Sequence, residues 1–148
     1  MWVCDLVISR KLFIIQNSEF KIHNWDEFLG ALIVRYNVVE EKSYRFAVRI
    51  VNLCKFVRSE YKEFVMTSQL LRSGTSIGAN IAESQRAQSR ADFISKLSIA
   101  HKETYETKYW LRLLNETGYL NDNQAKSILS DCMEIERILC SILNSAKK

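Results

Sequence analysis

The sequence predicts an all-α protein, an antiparallel up-down four-helix bundle that carries an N-terminal appendage. Three observations predict it. The 148 residues include no proline and only four glycines, which favours long uninterrupted helices over a fold with many turns. From Glu40 onward, apolar residues recur at intervals of three and four, the period of an amphipathic helix. The polar breaks between these stretches are short, and short connections join helices that run antiparallel.

Residues 1–38 form the appendage and differ in character from residues 39–148, the bundle. Residues 2–8 and 11–15 are β-prone runs, followed by a polar stretch. Asn24-Trp25-Asp26-Glu27 reads as the cap of a short helix that reaches about Tyr36. Four basic and four acidic residues cancel in this segment. It reads either as a docking arm or as a loosely packed appendage, which includes a translated upstream region if the natural start lies near Val38 or Val39.

The first bundle helix starts at Glu40 and ends near residues 62–64. Ala47, Ile50, Val51, Cys54, Val57, Tyr61, Phe64 and Val65 give it one apolar face, widened by Phe46 and Leu53. Lys42, Arg45 and Arg49 lie on one flank of the far side. Thr67 or Ser68 is expected to cap the second helix, which runs to about Ala87. This helix carries Gly74, Gly78 and Ala82 four residues apart, a ridge almost without side chains. Helix-interior glycines cost about 1 kcal/mol each relative to alanine, so a close-packed neighbouring helix is expected over the ridge. Arg72, Ser76, Asn80 and Glu83 occupy the opposite face and its edge.

Ser89 with Asp92 resembles a capping box for the third helix, about residues 89–116 and roughly 42 Å long. Phe93, Leu97, Ala100, Thr104, Thr107, Leu111 and Leu114 form its seam. A second band, Ile99, Glu103, Glu106, Trp110 and Leu113, predicts contact with more than one neighbour and therefore self-association. Gly118 is placed to end this helix. Asn121 with Gln124 opens the fourth, whose seam is Ala125, Ile128, Leu129, Cys132, Ile135, Leu139, Ile142, Leu143 and Ala146.

These elements carry a resemblance. EKSYRFA at 41–47, QLLRSGTSIGANIAE at 69–83, and IAHKE and ETKYWL between 99 and 111 are similar to the bacterial four helix bundle protein family. That family includes proteins encoded in intervening sequences of 23S ribosomal RNA genes, and accessory variability proteins of retroelements look related to it. The resemblance covers about residues 40–145. It implies a closed homo-oligomer, typically a pentamer, with a basic surface for nucleic acid, and it implies no enzyme activity.

The chemistry-bearing residues point the same way. Cys4, Cys54, Cys132 and Cys140 form no C-x-x-C pair, and His23 and His101 are distant from them in sequence, so neither zinc nor a redox role is expected. Bundle di-metal sites use Glu-x-x-His on two helices. That motif is absent here, so Glu83, Glu103 and Glu106 are assigned to a polar network with Arg72 and Asn80. There is no G-x-S-x-G, and Gly74-x-x-x-Gly78 lacks the Gly-Lys-Ser/Thr of a phosphate loop. No catalytic residue, metal or cofactor is expected.

The longest apolar run, residues 28–34, is far short of the roughly 20 that span a membrane, and the N-terminus makes a poor signal peptide. A cytoplasmic protein is expected. All of the net charge of +4 falls after residue 38. With Lys42, Arg45, Arg49, Arg86 and Arg90 as candidates, binding of RNA or DNA through phosphates and shape is the first functional expectation. The alternative is a protein-binding scaffold, such as an accessory subunit of a nucleic-acid enzyme, with no nucleic-acid contact of its own.

Overall fold

The computed structural model of the protein describes residues 22–147, and the side chains of residues 38–147. The β-prone runs at 2–8 and 11–15 lie outside the described residues. Four helices follow in order: α1 Ile22–Tyr61, α2 Val65–Ser84, α3 Arg90–Glu116 and α4 Asp122–Lys147. Each helix packs on the next, and α1 also packs on α4, which closes a four-sided up-down bundle.

The first helix differs from the sequence expectation. A separate short helix ending near Tyr36 and a fresh start at Glu40 are not seen, because α1 runs unbroken for 40 residues. Asn37, Val38 and Val39 have only weak helix preferences, and neither glycine nor proline stands at the expected break to stop propagation. The buried side of α1 is also rotated by one position. Val39, Ser43, Phe46, Ile50, Leu53, Cys54 and Val57 face the core, whereas Ala47 and Val51 are half-buried and Tyr61, Phe64 and Val65 are exposed.

The α1–α2 turn closes through Lys62, whose φ of 56° places it in the left-handed region, the position that normally ends a helix. The expected cap at Thr67 or Ser68 is not formed. Glu63 takes that role from outside the helix: Oε1 accepts from the Val65 and Met66 N–H groups, each at 2.8 Å, and Oε2 from that of Thr67 at 2.9 Å. A single carboxylate thus satisfies three of the four donors that a helix start leaves unpaired. Thr67 is instead buried, accepting from Arg58 Nε at 2.9 Å and donating to the Glu63 carbonyl.

Desolvation would raise the Glu63 carboxyl, but the backbone N–H bonds outweigh it and hold the group below its ordinary value. A depressed carboxylate contributes stability that is present above its unfolded pKa and is lost as pH falls through the folded one. Glu63→Gln is therefore expected to cost about 1 kcal/mol at neutral pH. The gap between variant and parent, read by chemical denaturation at several pH values, should close as pH falls below the carboxylate range.

The remaining caps follow local sequence. Ser89 Oγ accepts from Asp92 N–H at 3.1 Å, and Asp92 reaches back to the N–H of Gln88. Asn121 and Gln124 exchange both bonds of a capping box, at 2.9 and 3.1 Å. Gly118 has φ of 81° after the end of α3. The second helix stops at Ser84, three residues before the expected end, where the N–H groups of Arg86 and Ala87 turn back to Glu83 and Ser84. The core is built by Leu70, Ile77 and Ile81 of α2, Leu97, Leu111 and Leu114 of α3, and Ile135, Leu139 and Ile142 of α4, all at most 1% exposed.

Candidate functional site

The glycine ridge lies against α1. A Cβ built on Gly74 would stand 2.9 Å from both Cγ atoms of Ile50, whereas one on Gly78 would be 3.5 Å from the Ser43 carbonyl oxygen, an ordinary contact. Close approach is therefore enforced at Gly74. Ala82 does not pack beneath a helix and is exposed. An open groove of about 500 Å³ lies between the two helices from Thr75 to Ala82, lined by Glu40, Ser43, Tyr44, Ala47, Ala79 and Ala82 among others. Tyr44 stands at its edge, 72% exposed.

The polar residues of α2 meet α3. Arg72 forms an ion pair with Glu106, whose Oε1 also accepts from Trp110 Nε1 at 3.4 Å. Glu83 pairs with Lys96 at 2.6 Å. Asn80 does not reach α3 through any of its hydrogen bonds, which go to the carbonyl and hydroxyl of Ser76 at 2.9 and 3.1 Å. Glu103 is 5% exposed and has one carboxylate oxygen without a hydrogen-bond partner. Its other oxygen lies 4.0 Å from Lys102 Nζ.

Of the five basic candidates, four are engaged within the chain. Lys42 binds Glu134 at 3.1 Å, and Arg49 binds Asp131 and Ser127, so both tie α1 to α4. Arg45 pairs with Glu41 one turn away on α1. Arg90 donates from Nε and Nη2 to the Ala146 carbonyl, covering the C-terminal end of α4. Arg86 is exposed and has no side-chain partner among the described residues. Lys55, Lys126, Arg137 and Lys147 share that condition; net charge alone did not single them out. Their signal is visible only after the salt bridges have been assigned.

One further pair escaped sequence reading. Cys140 Sγ on α4 lies 3.0 Å from His101 Nε2 on α3, although 39 positions separate them. Sequence spacing, which separates both histidines from every cysteine, gives no sign of this contact. Among the described residues, no group of three or more His, Cys, Asp or Glu side chains could hold a metal ion, and no helix is long and apolar enough to cross a membrane.

The family model described as 23S rRNA-intervening sequence protein matches residues 35–141. A crystal structure of a protein with unknown function from the S23 ribosomal protein family of Bacteroides thetaiotaomicron VPI-5482 is similar at 60% identity and a TM-score of 0.74. The match covers 74% of this chain and 98% of that one. No curated protein matches the chain.

Proposed function

We propose that this chain, which belongs to the 23S rRNA-intervening sequence protein family, is a non-enzymatic, self-associating bundle that binds structured RNA or DNA through phosphates and shape. The observation that carries the reading is the charge distribution. The net +4 arises entirely after residue 38, and Lys55, Arg86, Lys126, Arg137 and Lys147 are exposed without a side-chain partner among the described residues. Unpaired cations release condensed counterions when they meet phosphates, and a symmetric ring multiplies their field.

Self-association, with a pentamer as the expected closed form, is supported by the α1–α2 groove. Its small-residue floor and exposed Tyr44 offer a second copy both a recess and a knob. The cytoplasm is the expected compartment.

The test is a salt-titrated binding assay with a structured RNA hairpin, with light scattering on the same samples. Affinity is expected to fall at least about tenfold between 50 and 200 mM salt. Arg86→Ala and Lys126→Ala should each weaken binding and reduce the salt slope by about 1. Lys42→Ala, whose charge is already matched by Glu134, should change it little. Absence of binding at low salt would overturn the reading.

The internal pairing of Lys42, Arg45, Arg49 and Arg90 favours a second reading, a protein scaffold serving a nucleic-acid enzyme. It predicts assembly without salt-sensitive RNA affinity.

A further inference from the structure

We propose that Cys140 and His101 form a nucleophilic thiol site that captures thiol groups from aliphatic disulfides, leaving Cys140 as a mixed disulfide. The site lies between α3 and α4, outside the α1–α2 groove. Its first element is the 3.0 Å contact between Cys140 Sγ and His101 Nε2, which sets a base against a nucleophile. The second is what surrounds the imidazole. The Tyr105 and His101 rings meet in a T-shaped contact at 5.2 Å and 81°, and Lys108 Nζ lies over the tyrosine ring, 4.2 Å from its centroid.

The third element is Glu136, one turn before Cys140 on α4. Burial would raise its carboxyl, but bonds from Lys108 at 2.6 Å and from the Tyr105 phenol, with the charges of Lys108 and His101, hold it below the usual carboxylate range. This places a fixed carboxylate charge within electrostatic reach of the His101 ring.

The other two described cysteines show what a packing thiol looks like in this bundle. Cys54 and Cys132 are fully buried and donate to the backbone carbonyls of Thr67 and Thr104, at 3.4 and 3.6 Å. Burial pushes their thiols up to about 11 and about 12, which makes them inert at neutral pH. Cys140 is half-buried, and its partner is a base rather than a carbonyl.

The step balances without a further reactant. Cys140 sulfur attacks one sulfur of the disulfide, the disulfide bond breaks as the new one forms, and the second sulfur departs with the electron pair. His101 accepts the Cys140 proton and passes it to the departing thiolate. The number of disulfide bonds is conserved: the Cys140 sulfur is oxidised to the disulfide level as the departing sulfur is reduced to a thiol.

The test uses full-length protein carrying Cys4→Ser, with oxidised glutathione as the probe and intact mass followed by peptide mapping as the readout. A single glutathionyl adduct is expected on Cys140 and is lost in Cys140→Ser. His101→Gln should slow its formation at least about tenfold, short of the roughly 100-fold of a full general-base effect because a free thiol is already partly ionised at neutral pH. A variant that loses its fold would reveal itself by adducts on Cys54 and Cys132. The parent is therefore also compared with a synthetic peptide of residues 134–146, which holds Cys140 without His101. Native protein should react about tenfold faster than the peptide. Equal or slower reaction of the protein, no adduct on Cys140, or a rate unchanged in a folded His101→Gln protein would overturn the proposal.

Discussion

Replacing Gly74 with leucine is expected to destabilise the bundle by at least about 3 kcal/mol, enough to leave little folded protein at ambient temperature. The first added carbon would already stand 2.9 Å from Cγ1 and Cγ2 of Ile50, and Ile50 is itself fully buried. Those atoms are the branch of a side chain with few rotamers, not the end of a flexible one, so the helices must separate. Gly74→Ala is milder. Its helix propensity gains about 1 kcal/mol, and overpacking costs about 1–3 kcal/mol, so the net change is a loss of up to about 2 kcal/mol.

Gly78 provides the contrast. Its added carbon meets the Ser43 carbonyl oxygen at 3.5 Å, so Gly78→Ala should stabilise by up to about 1 kcal/mol through propensity alone. Urea denaturation followed by circular dichroism measures all three variants. A stable Gly74→Leu protein would show that α1 and α2 do not approach as described. In a double-mutant cycle, Ile50→Ala should cost less beside Gly74→Leu than beside Gly74, because the new side chain fills the vacated space.

The glycine ridge shows how far sequence can be read. Its spacing announces close packing, yet the partner atom decides which glycine is indispensable, and that atom lies 24 positions away. Features whose two halves sit within a turn of each other were legible: the Ser89–Asp92 and Asn121–Gln124 caps, and Gly118. So were the seams of α3 and α4, whose residues recur at three- and four-residue intervals without a break. The first helix was legible only in part, because the buried Phe46 and Ile50 are each followed by an apolar residue, Ala47 and Val51, that lies off the buried face. Gly74 receives Ile50, and that contact selects the rotation.

The α2 cap was missed for a related reason. Capping preference points to Thr67 and Ser68, whereas the longer Glu63 side chain reaches forward over three N–H groups. Candidate nucleic-acid residues were the least legible. Whether a surface arginine offers its charge to solvent depends on partners such as Asp131, 82 positions from Arg49. The Cys140–His101 contact was hidden by the same kind of distance.

Glu103→Met is expected to stabilise the protein by about 1–3 kcal/mol and to raise its melting temperature by several degrees. The Glu103 side chain is only 6% exposed, one of its oxygens has no partner, and the other has only Lys102 Nζ at 4.0 Å, on a side chain that is itself 75% exposed. The pairs Arg72–Glu106 and Lys96–Glu83 fix the antiparallel register of α2 and α3, and that register sets Glu103 opposite positions 75–76. Neither Thr75 nor Ser76 brings a cation there. A buried charge so weakly matched keeps most of its desolvation cost, which an apolar side chain of similar length avoids. Glu103→Gln should gain less, because the amide is neutral but still needs partners for its own polar atoms.

Thermal unfolding at low protein concentration checks the sign, and light scattering on the same samples checks its origin. If Glu103→Met instead lowers both the melting temperature and the assembled fraction, the carboxylate draws its partner from a second copy of the chain. That outcome would place the α2–α3 seam, rather than the α1–α2 groove, at the subunit contact.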